Sequence, residues 1–179
     1  MARDLGIARQ EVHKSARGVL RFWLEEVPPE KRFARDAAVD EACRTRFGAL
    51  REAAIATHGA GWRGEPATLL AAIILIDQFS RNIFRGDARA FAADPLARAL
   101  AREALARGWD RGLSPVERQF LYMPFMHSED MDDQVRSLAL YGAPDMAFAA
   151  AFARDHAAEV AQHGRFTARD AALGRVSAQ

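Results

Sequence analysis

The eight residues from Leu69 to Ile76 read Leu-Leu-Ala-Ala-Ile-Ile-Leu-Ile, and this run decides the fold class. Its β-branched side chains are compatible with a strand, but the alanine-rich start and the long continuation to Phe84 favour a helix. A helix that is apolar on every side is a buried helix. The sequence therefore predicts a buried central helix that begins at Glu65-Pro66, with the proline in its first turn, and ends at Gly86.

Helical spacing of apolar residues recurs on both sides of this run, and no stretch has the sustained alternation typical of a strand. Asp94 is expected to cap one helix, and Pro124 is expected to kink or end another. Further helices are predicted at about residues 9–26, 34–57, 94–108, 114–123, 128–142 and 144–162. The pattern predicts an all-α fold of about seven helices, arranged as antiparallel helical hairpins. We expect a single domain, 1–179, in which the irregular tail 164–179 docks on the helices.

Composition excludes several classes of partner. The chain has 25 Lys and Arg against 24 Asp and Glu, a net charge of +1, so no global field favours nucleic acid or an anionic membrane. Cys43 is the only cysteine, which rules out an intrachain disulfide and fits a reducing cytoplasm. The longest apolar run is far shorter than the roughly 20 residues that a membrane span needs. We therefore expect a soluble cytoplasmic protein without nucleic-acid or membrane partners.

Several polar blocks together resemble those of a known family. These blocks are Asp77-Gln78-Phe79-Ser80-Arg81-Asn82, the aromatic run from Phe120 that opens into His127-Ser128-Glu129-Asp130, Gly164-Arg165-Phe166 and Leu173-Gly174-Arg175. They resemble a bacterial family of uncharacterised proteins with a tetratricopeptide-like all-α fold. The resemblance implies a right-handed stack of helical hairpins and implies no reaction.

The chain departs from the usual pattern of that family at two places. Ser80 stands where the family usually has proline, and Thr167-Ala168-Arg169-Asp170 stands where it usually has Pro-His-Arg-Asn. If the C-terminal segment completes a site in the family, that site is altered here.

The end of the central helix carries the first candidate site residues. Asp77, Arg81 and Arg85 are spaced i, i+4, i+8 and share one face, with Gln78 and Asn82 beside them. One interpretation is structural, with an Asp77–Arg81 pair and arginines that complement the helix C-terminus. The other is functional, with Arg81 or Arg85 as a fork that binds an anion.

The block from His127 to Asp130 is the second candidate. A structural role explains most of it, because Ser128 could cap a helix while Glu129 and Asp130 complement its positive end. That role leaves His127 unexplained. A histidine beside a helix N-terminus could act as a general acid or base, or as an anion ligand.

The third candidate lies near the C-terminus. Phe148, Phe152, His156, Glu159 and His163 fall on one face of a predicted helix, so His156 is expected in an apolar stripe. It could be a core histidine that bonds to a neighbouring helix, or a ligand-binding one. Downstream, Arg165 and Arg169 could reach an anion site, whereas docking of the tail through Phe166 is the structural alternative.

These observations favour a binding protein for a small anionic molecule or a peptide carboxylate, in a polar crevice between the central helices. An acid/base hydrolase that uses His127 with Glu129 or Asp77 is the first alternative, and a scaffold for protein partners is the second. The candidate ligand-binding residues are Asp77, Gln78, Arg81, Asn82, Arg85, His127, Glu129, His156 and Arg165. We predict no metal site and no cofactor, and a homo-oligomer is compatible with the sequence.

Overall fold

A computed structural model describes the backbone of residues 2–176 and the side chains of residues 9–176. Within that part of the chain every regular element is helical, as predicted. The α-helices are α1 (Ala2–Arg21), α2 (Pro29–Arg32), α3 (Ala37–Ala56), α4 (Pro66–Ile83), α5 (Asp94–Ala106), α6 (Pro115–Met126), α7 (Met131–Tyr141), α8 (Ala147–His163) and α9 (Asp170–Leu173). Seven of them are long and correspond to the predicted ones, whereas α2 and α9 are single turns.

Helix α4 is the centre of the molecule, as the apolar run predicts. Every residue from Leu69 to Ile76 is completely buried. The helix packs against α1, α3, α5 and α6, so its whole circumference is covered by protein. Burying an aliphatic side chain of this size contributes about 1.5–3 kcal/mol, which explains why an all-apolar helix holds this position.

Aromatic side chains fill the space between α4 and its neighbours. The ring centroid of Phe79 on α4 lies 5.4 Å from that of Trp23 and 5.1 Å from that of Phe47. Trp23 also meets the ring of Phe120 edge-on, at 5.9 Å. Trp23 lies in a short π-helical stretch, Phe22–Glu26, that extends α1. The cluster joins the first helices of the chain to α4 and α6.

Two helix ends differ from expectation: of the kink or end predicted at Pro124 the end does not occur, and Asp94 is not the N-cap of α5. Helix α6 does not end at Met123 but continues through Pro124 to Met126. An interior proline costs about 3 kcal/mol, yet Phe125 and Met126 are both buried and their burial opposes that cost. The N-cap of α5 is Ala93 rather than Asp94, because the carboxylate of Asp94 is turned to other partners.

Ser128 does not cap a helix either. The side chain of Asp130 accepts hydrogen bonds from the backbone N–H groups of Asp132 and Asp133, so it is Asp130 that caps α7. The hydroxyl of Ser128 instead donates to the carboxylate of Asp133, at 2.9 Å. The chain between α6 and α7 is thereby fixed, with His127 at its start as the C-cap of α6.

The face of α8 that packs inward differs from the predicted one. Phe148 and Phe152 are both more than half exposed, and the small residues of the opposite face are buried instead. Those buried residues are Ala149, Ala153, Ala157 and Val160. Small side chains allow α8 to approach α7 closely, and this contact leaves the two phenylalanines on the outer side of the helix.

The segment after α8 turns back onto the helices. Gly164 has a left-handed backbone conformation, with φ 69°, which reverses the chain at the end of α8. Phe166 is then buried, and its ring lies 5.4 Å from that of His156. None of the described helices combines the length and the apolar composition that crossing a membrane requires.

Candidate functional site

The centre of the candidate site is a hydrogen-bonded pair between α4 and the end of α6. Atom Nδ1 of His127 lies 2.9 Å from Oδ1 and 3.0 Å from Oδ2 of Asp77. Asp77 is only 1% exposed, and an ionised carboxylate has no proton to give, so Nδ1 carries the proton and donates it. The atom Nε2 of His127 makes no hydrogen bond with the described residues. The pair therefore fixes one tautomer and leaves the Nε2 lone pair available.

Two arginines and a second aspartate surround this pair. Arg81 donates two parallel hydrogen bonds of 2.9 Å to Asp94 and lies 3.1 Å from Asp77. Arg169, from the segment before α9, donates to the backbone carbonyl of His127 at 2.9 Å and lies 3.6 Å from Asp94. The two buried carboxylates are thus balanced by two guanidinium groups, which offsets the cost of burying charge.

The pKa values in this cluster follow from burial and from Arg81. Burial works to raise the pKa of Asp77, but Arg81 and the hydrogen bonds to the carboxylate outweigh it, so that pKa lies well below its usual range. Burial and the charge of Arg81 lower the pKa of His127 more than Asp77 raises it, and the ring is neutral at pH 7. Burial and Arg81 also lower the pKa of Arg169 to about 10, which leaves it cationic.

A cleft of about 170 Å³, which we call the basic compartment, opens beside His127. It contains three arginines, Arg32, Arg81 and Arg85, and no acidic side chain is among the described residues that line it. The remaining residues of its lining are Phe33, Ala34, Gln78, Asn82, Met123 and His127. Five of the nine candidate residues therefore lie around one cleft.

A second cleft of about 200 Å³, the apolar compartment, shares Phe33, Met123 and His127 with the first. The rest of its lining is Gln119, Met126, Phe152 and His156. The ring of His156 lies 6.2 Å from that of His127, and its Nδ1–H donates to the carbonyl of Phe152. His127 thus stands where a cationic cleft and an aromatic cleft meet.

Some candidate residues are engaged in local pairs. Arg85 donates two hydrogen bonds to Asp40, and Asn82 donates a third, so these two residues brace α4 against α3 at the edge of the basic compartment. Glu129 makes no hydrogen bond with the side chain of His127 and accepts two hydrogen bonds from Arg175 instead. A hydrolase that pairs His127 with Glu129 therefore has no geometric basis.

Arg165 stands apart from the cluster around His127. It donates to Asp170 of α9, at 3.0 Å, within the C-terminal segment. Of the two arginines of that segment, Arg169 is the one that reaches the buried carboxylates. The segment therefore contributes to the site through Arg169.

A larger groove of about 590 Å³ lies between the end of α3 and the start of α5. Its two arginines, Arg51 and Arg89, stack on the ring of Phe84, and each is paired with an acid, Glu52 for Arg51 and Asp87 for Arg89. These ion pairs neutralise the charges of the two arginines in the groove. In the cleft at His127, Arg81 and Arg85 are also paired with acids, but Arg32 has no acidic partner among the described residues, so this cleft is the better candidate for a binding site.

The comparison with known proteins agrees with this architecture. Residues 19–179 match the family described as "Bacterial protein of unknown function (DUF924)". The chain belongs to this family. It is also similar to a solved structure, a protein of unknown function, ATU0120, from Agrobacterium tumefaciens. The two are 38% identical with a TM-score of 0.86, over 91% of this chain and 92% of the other. No curated protein matches the chain.

In this DUF924 member, three residues of the site escaped the sequence analysis. Arg32 lies on the one-turn helix α2, which a proline pair introduces, and nothing in its local sequence distinguishes it from a surface arginine. Asp94 resembled an ordinary helix cap. Phe33 is an exposed aromatic residue in a short connection. Among the described residues, no group of three or more His, Cys, Asp or Glu side chains could hold a metal ion.

Proposed function

We propose that this protein binds a small organic anion with an apolar tail, held across the basic and apolar compartments on either side of His127. The observation that carries the proposal is the lining of the basic compartment, which has three guanidinium groups and no acid among its described residues. Arg32 has no carboxylate partner among the described residues, whereas Arg81 and Arg85 are paired with acids that lie outside the lining. The guanidinium donors that these bonds leave over are suited to a carboxylate or phosphate from solution.

The arginines keep donors available for such a ligand. Arg32 uses Nε and Nη2 to bind the backbone carbonyls of Val27 and Leu24. Arg85 uses the same two atoms to bind Asp40. In both cases Nη1 has no hydrogen bond within the described residues. Fixed by their other bonds, these guanidinium groups lose little side-chain freedom when an anion arrives, which favours affinity.

The apolar compartment supports a ligand with a hydrophobic tail. Phe33 and Phe152 are each more than half exposed, although both are large apolar side chains. Both line the apolar compartment together with the buried side chains of Met123 and Met126. Methionine adapts its shape to different ligands and contacts aromatic groups favourably. An aromatic or branched aliphatic tail fits this lining best.

The probe that tests this proposal is 4-benzoylbutyrate, which carries a carboxylate at one end and a phenyl ketone at the other. Its primary amide has nearly the same shape without the charge. We expect titration calorimetry to detect binding of the acid, with affinity about 10- to 100-fold above that of the amide, because a hydrogen bond to a charged group contributes about 1.5–3 kcal/mol.

Two variants identify the cleft. The R32Q substitution removes one cation from the basic compartment and should weaken binding of the acid at least about 10-fold. The matched control is R35Q, since Arg35 is exposed and lies outside both linings. Equal binding of acid and amide, no binding of either, or equal losses in R32Q and R35Q would each contradict the proposal.

A further inference from the structure

His127 is a neutral histidine at the boundary between the two compartments. A ligand that spans both clefts places its middle, rather than either end, beside His127, because this residue lines both. The side chain of His127 is 14% exposed, and Asp77 occupies its Nδ1. The remaining ring nitrogen, Nε2, is a proton acceptor without a partner among the described residues.

Water can reach this histidine from a third side. His127 also lines an open cleft of about 500 Å³ between α5 and the C-terminal segment, whose lining includes Asp94, Arg98 and Arg169. This cleft is rich in charged side chains, which hold water well. His127 therefore combines three features: its Nε2 can accept a proton, the middle of a spanning ligand lies beside it, and water can reach it through the third cleft.

We infer that the cleft hydrolyses a carboxylic ester that joins an anionic acyl chain to an apolar alcohol, with His127 as the general base and Asp77 as the residue that positions it. The inference rests on the proposed binding of an amphipathic anion, because the two compartments determine which bond lies beside Nε2. The anionic end would lie against Arg32, Arg81 and Arg85.

The chemical step is an ordinary addition and elimination. Nε2 of His127 takes a proton from water while the water oxygen bonds to the ester carbonyl carbon, which gives a tetrahedral intermediate with a negative oxygen. When this intermediate collapses, the bond to the alcohol oxygen breaks, and the proton on Nε2 passes to that oxygen. Asp77 stabilises the imidazolium in between, and the nearby guanidinium groups offset the negative charge on the carbonyl oxygen.

The surroundings of His127 keep it in the form that this step needs. The charged and titratable groups that face it are Asp77 and Arg81 from α4, Asp94 from α5, His156 from α8 and Arg169 from the C-terminal segment. Burial and Arg81 depress its pKa, so the base is unprotonated at neutral pH. The rate should rise with pH to a plateau, with an apparent pKa below the usual value of about 6.5.

The test uses the mono-4-nitrophenyl ester of glutarate, whose hydrolysis releases coloured nitrophenolate. The wild-type protein should hydrolyse this anionic ester faster than neutral 4-nitrophenyl butyrate. The H127Q variant should lose at least about 100-fold in kcat, the typical contribution of a general base. It should still bind 4-benzoylbutyrate, since the arginines remain. H163Q, which changes an exposed histidine on α8, is the matched control and should keep full activity.

The kinetics of the D77N variant test whether Asp77 positions His127. In D77N the amide can donate to Nδ1, which favours the wrong tautomer, so kcat should fall while KM stays unchanged and the pH profile of the rate changes. A purely structural role would lower the melting temperature without these changes. If D77N does not fold, the pH profile of the wild-type rate and the kcat of H127Q decide whether the proposal holds.

Two failures can be told apart. If the wild-type protein binds 4-benzoylbutyrate but hydrolyses the ester no faster than H127Q, catalysis is excluded and the binding function stands. If it does not bind 4-benzoylbutyrate, the proposed function itself fails. Equal loss of hydrolysis in H127Q and H163Q would also overturn the assignment of His127 as the base.

Discussion

The ring nitrogen Nδ1 of His127 lies 2.9 Å from Oδ1 of Asp77, although 50 residues of chain separate the two. Asp77 is on the buried helix α4, and His127 caps the C-terminus of α6. The bond makes a polar connection between two helices, beside the hydrogen bond that Nε2 of Gln78 donates to Sδ of Met123. Burial of the ring and the charge of Arg81 lower the pKa of His127 against the opposing effect of this bond, and so couple its protonation to the folding of the protein.

This coupling predicts that stability falls as the pH is lowered from 7 to 5. The pKa of His127 is lowered in the folded state, whereas in the unfolded chain it is about 6.5. Between these values the unfolded state binds a proton that the folded state does not bind, so the free energy of unfolding decreases with falling pH. The slope contributed by one such group is at most about 1.4 kcal/mol per pH unit.

Urea unfolding at several pH values measures this effect. H127Q should have a smaller slope between pH 7 and 5, because glutamine does not titrate. The low pKa of Asp77 adds a separate loss of stability as the pH falls below about 4, and this loss should remain in H127Q. A slope between pH 7 and 5 that is identical in H127Q and in wild type would show that His127 is not responsible.

Removal of Arg81 should destabilise the protein strongly. R81Q leaves the carboxylates of Asp77 and Asp94, which are almost completely buried, without their nearest cation. Breaking a buried ion pair on one side costs about 3–5 kcal/mol. In the control variant R89Q, the lost pair with Asp87 is exposed, and the expected cost is about 0–1 kcal/mol. Denaturant unfolding of both variants gives the comparison, and similar values would contradict the central role of Arg81.

Phe166 should hold the C-terminal segment on the protein. Its ring is buried between His156 and Arg169, whose guanidinium carbon lies 4.5 Å from the ring centroid. F166A removes these contacts, and we expect faster amide exchange in residues 164–176, with little change in the central helices. Hydrogen exchange followed by mass spectrometry measures this. V176A, at a residue that is 90% exposed, is the control and should leave exchange unaltered.

His58 should be a site where glycine stabilises the protein. It has φ 50°, a left-handed conformation that costs a non-glycine residue roughly 1–2 kcal/mol. H58G relieves this strain, although the greater freedom of glycine in the unfolded chain opposes the gain, so we expect a net increase of up to about 1 kcal/mol. The neighbouring T57G, where φ is −91°, should lower stability. Thermal unfolding tests both, and a loss in H58G would contradict this account.

Local sequence patterns account for the fold class and for most of the long helices. The position of Pro124 shows the limit of such rules, because a proline inside an apolar stretch predicts the end of a helix only when nothing else holds the helix together. Here the burial of Phe125 and Met126 outweighs the lost hydrogen bond. The orientation of α8 shows the same limit. From its sequence, the face with Phe148 and Phe152 is expected to pack inward, whereas in the structure the alanine face does so.

Only part of the site could be predicted from the sequence. The helical spacing that places Asp77 and Arg81 on one face is a local property, so their proximity could be predicted. The partners of Arg85, Glu129 and Arg165 could not, because an arginine or a carboxylate has the same local signature whether it faces solvent, a ligand or an opposite charge. Each of these three lies beside a complementary group.

The sequence by itself determined that the chain is all-helical and that Leu69–Ile76 is buried, because periodicity and hydropathy act over a few residues. Only the tertiary structure decided that His127 contacts Asp77 and that Arg32 lines the same cleft as Arg81 and Met123. Such meetings depend on how whole helices pack, and packing is fixed by the shape of the complete core rather than by any local pattern.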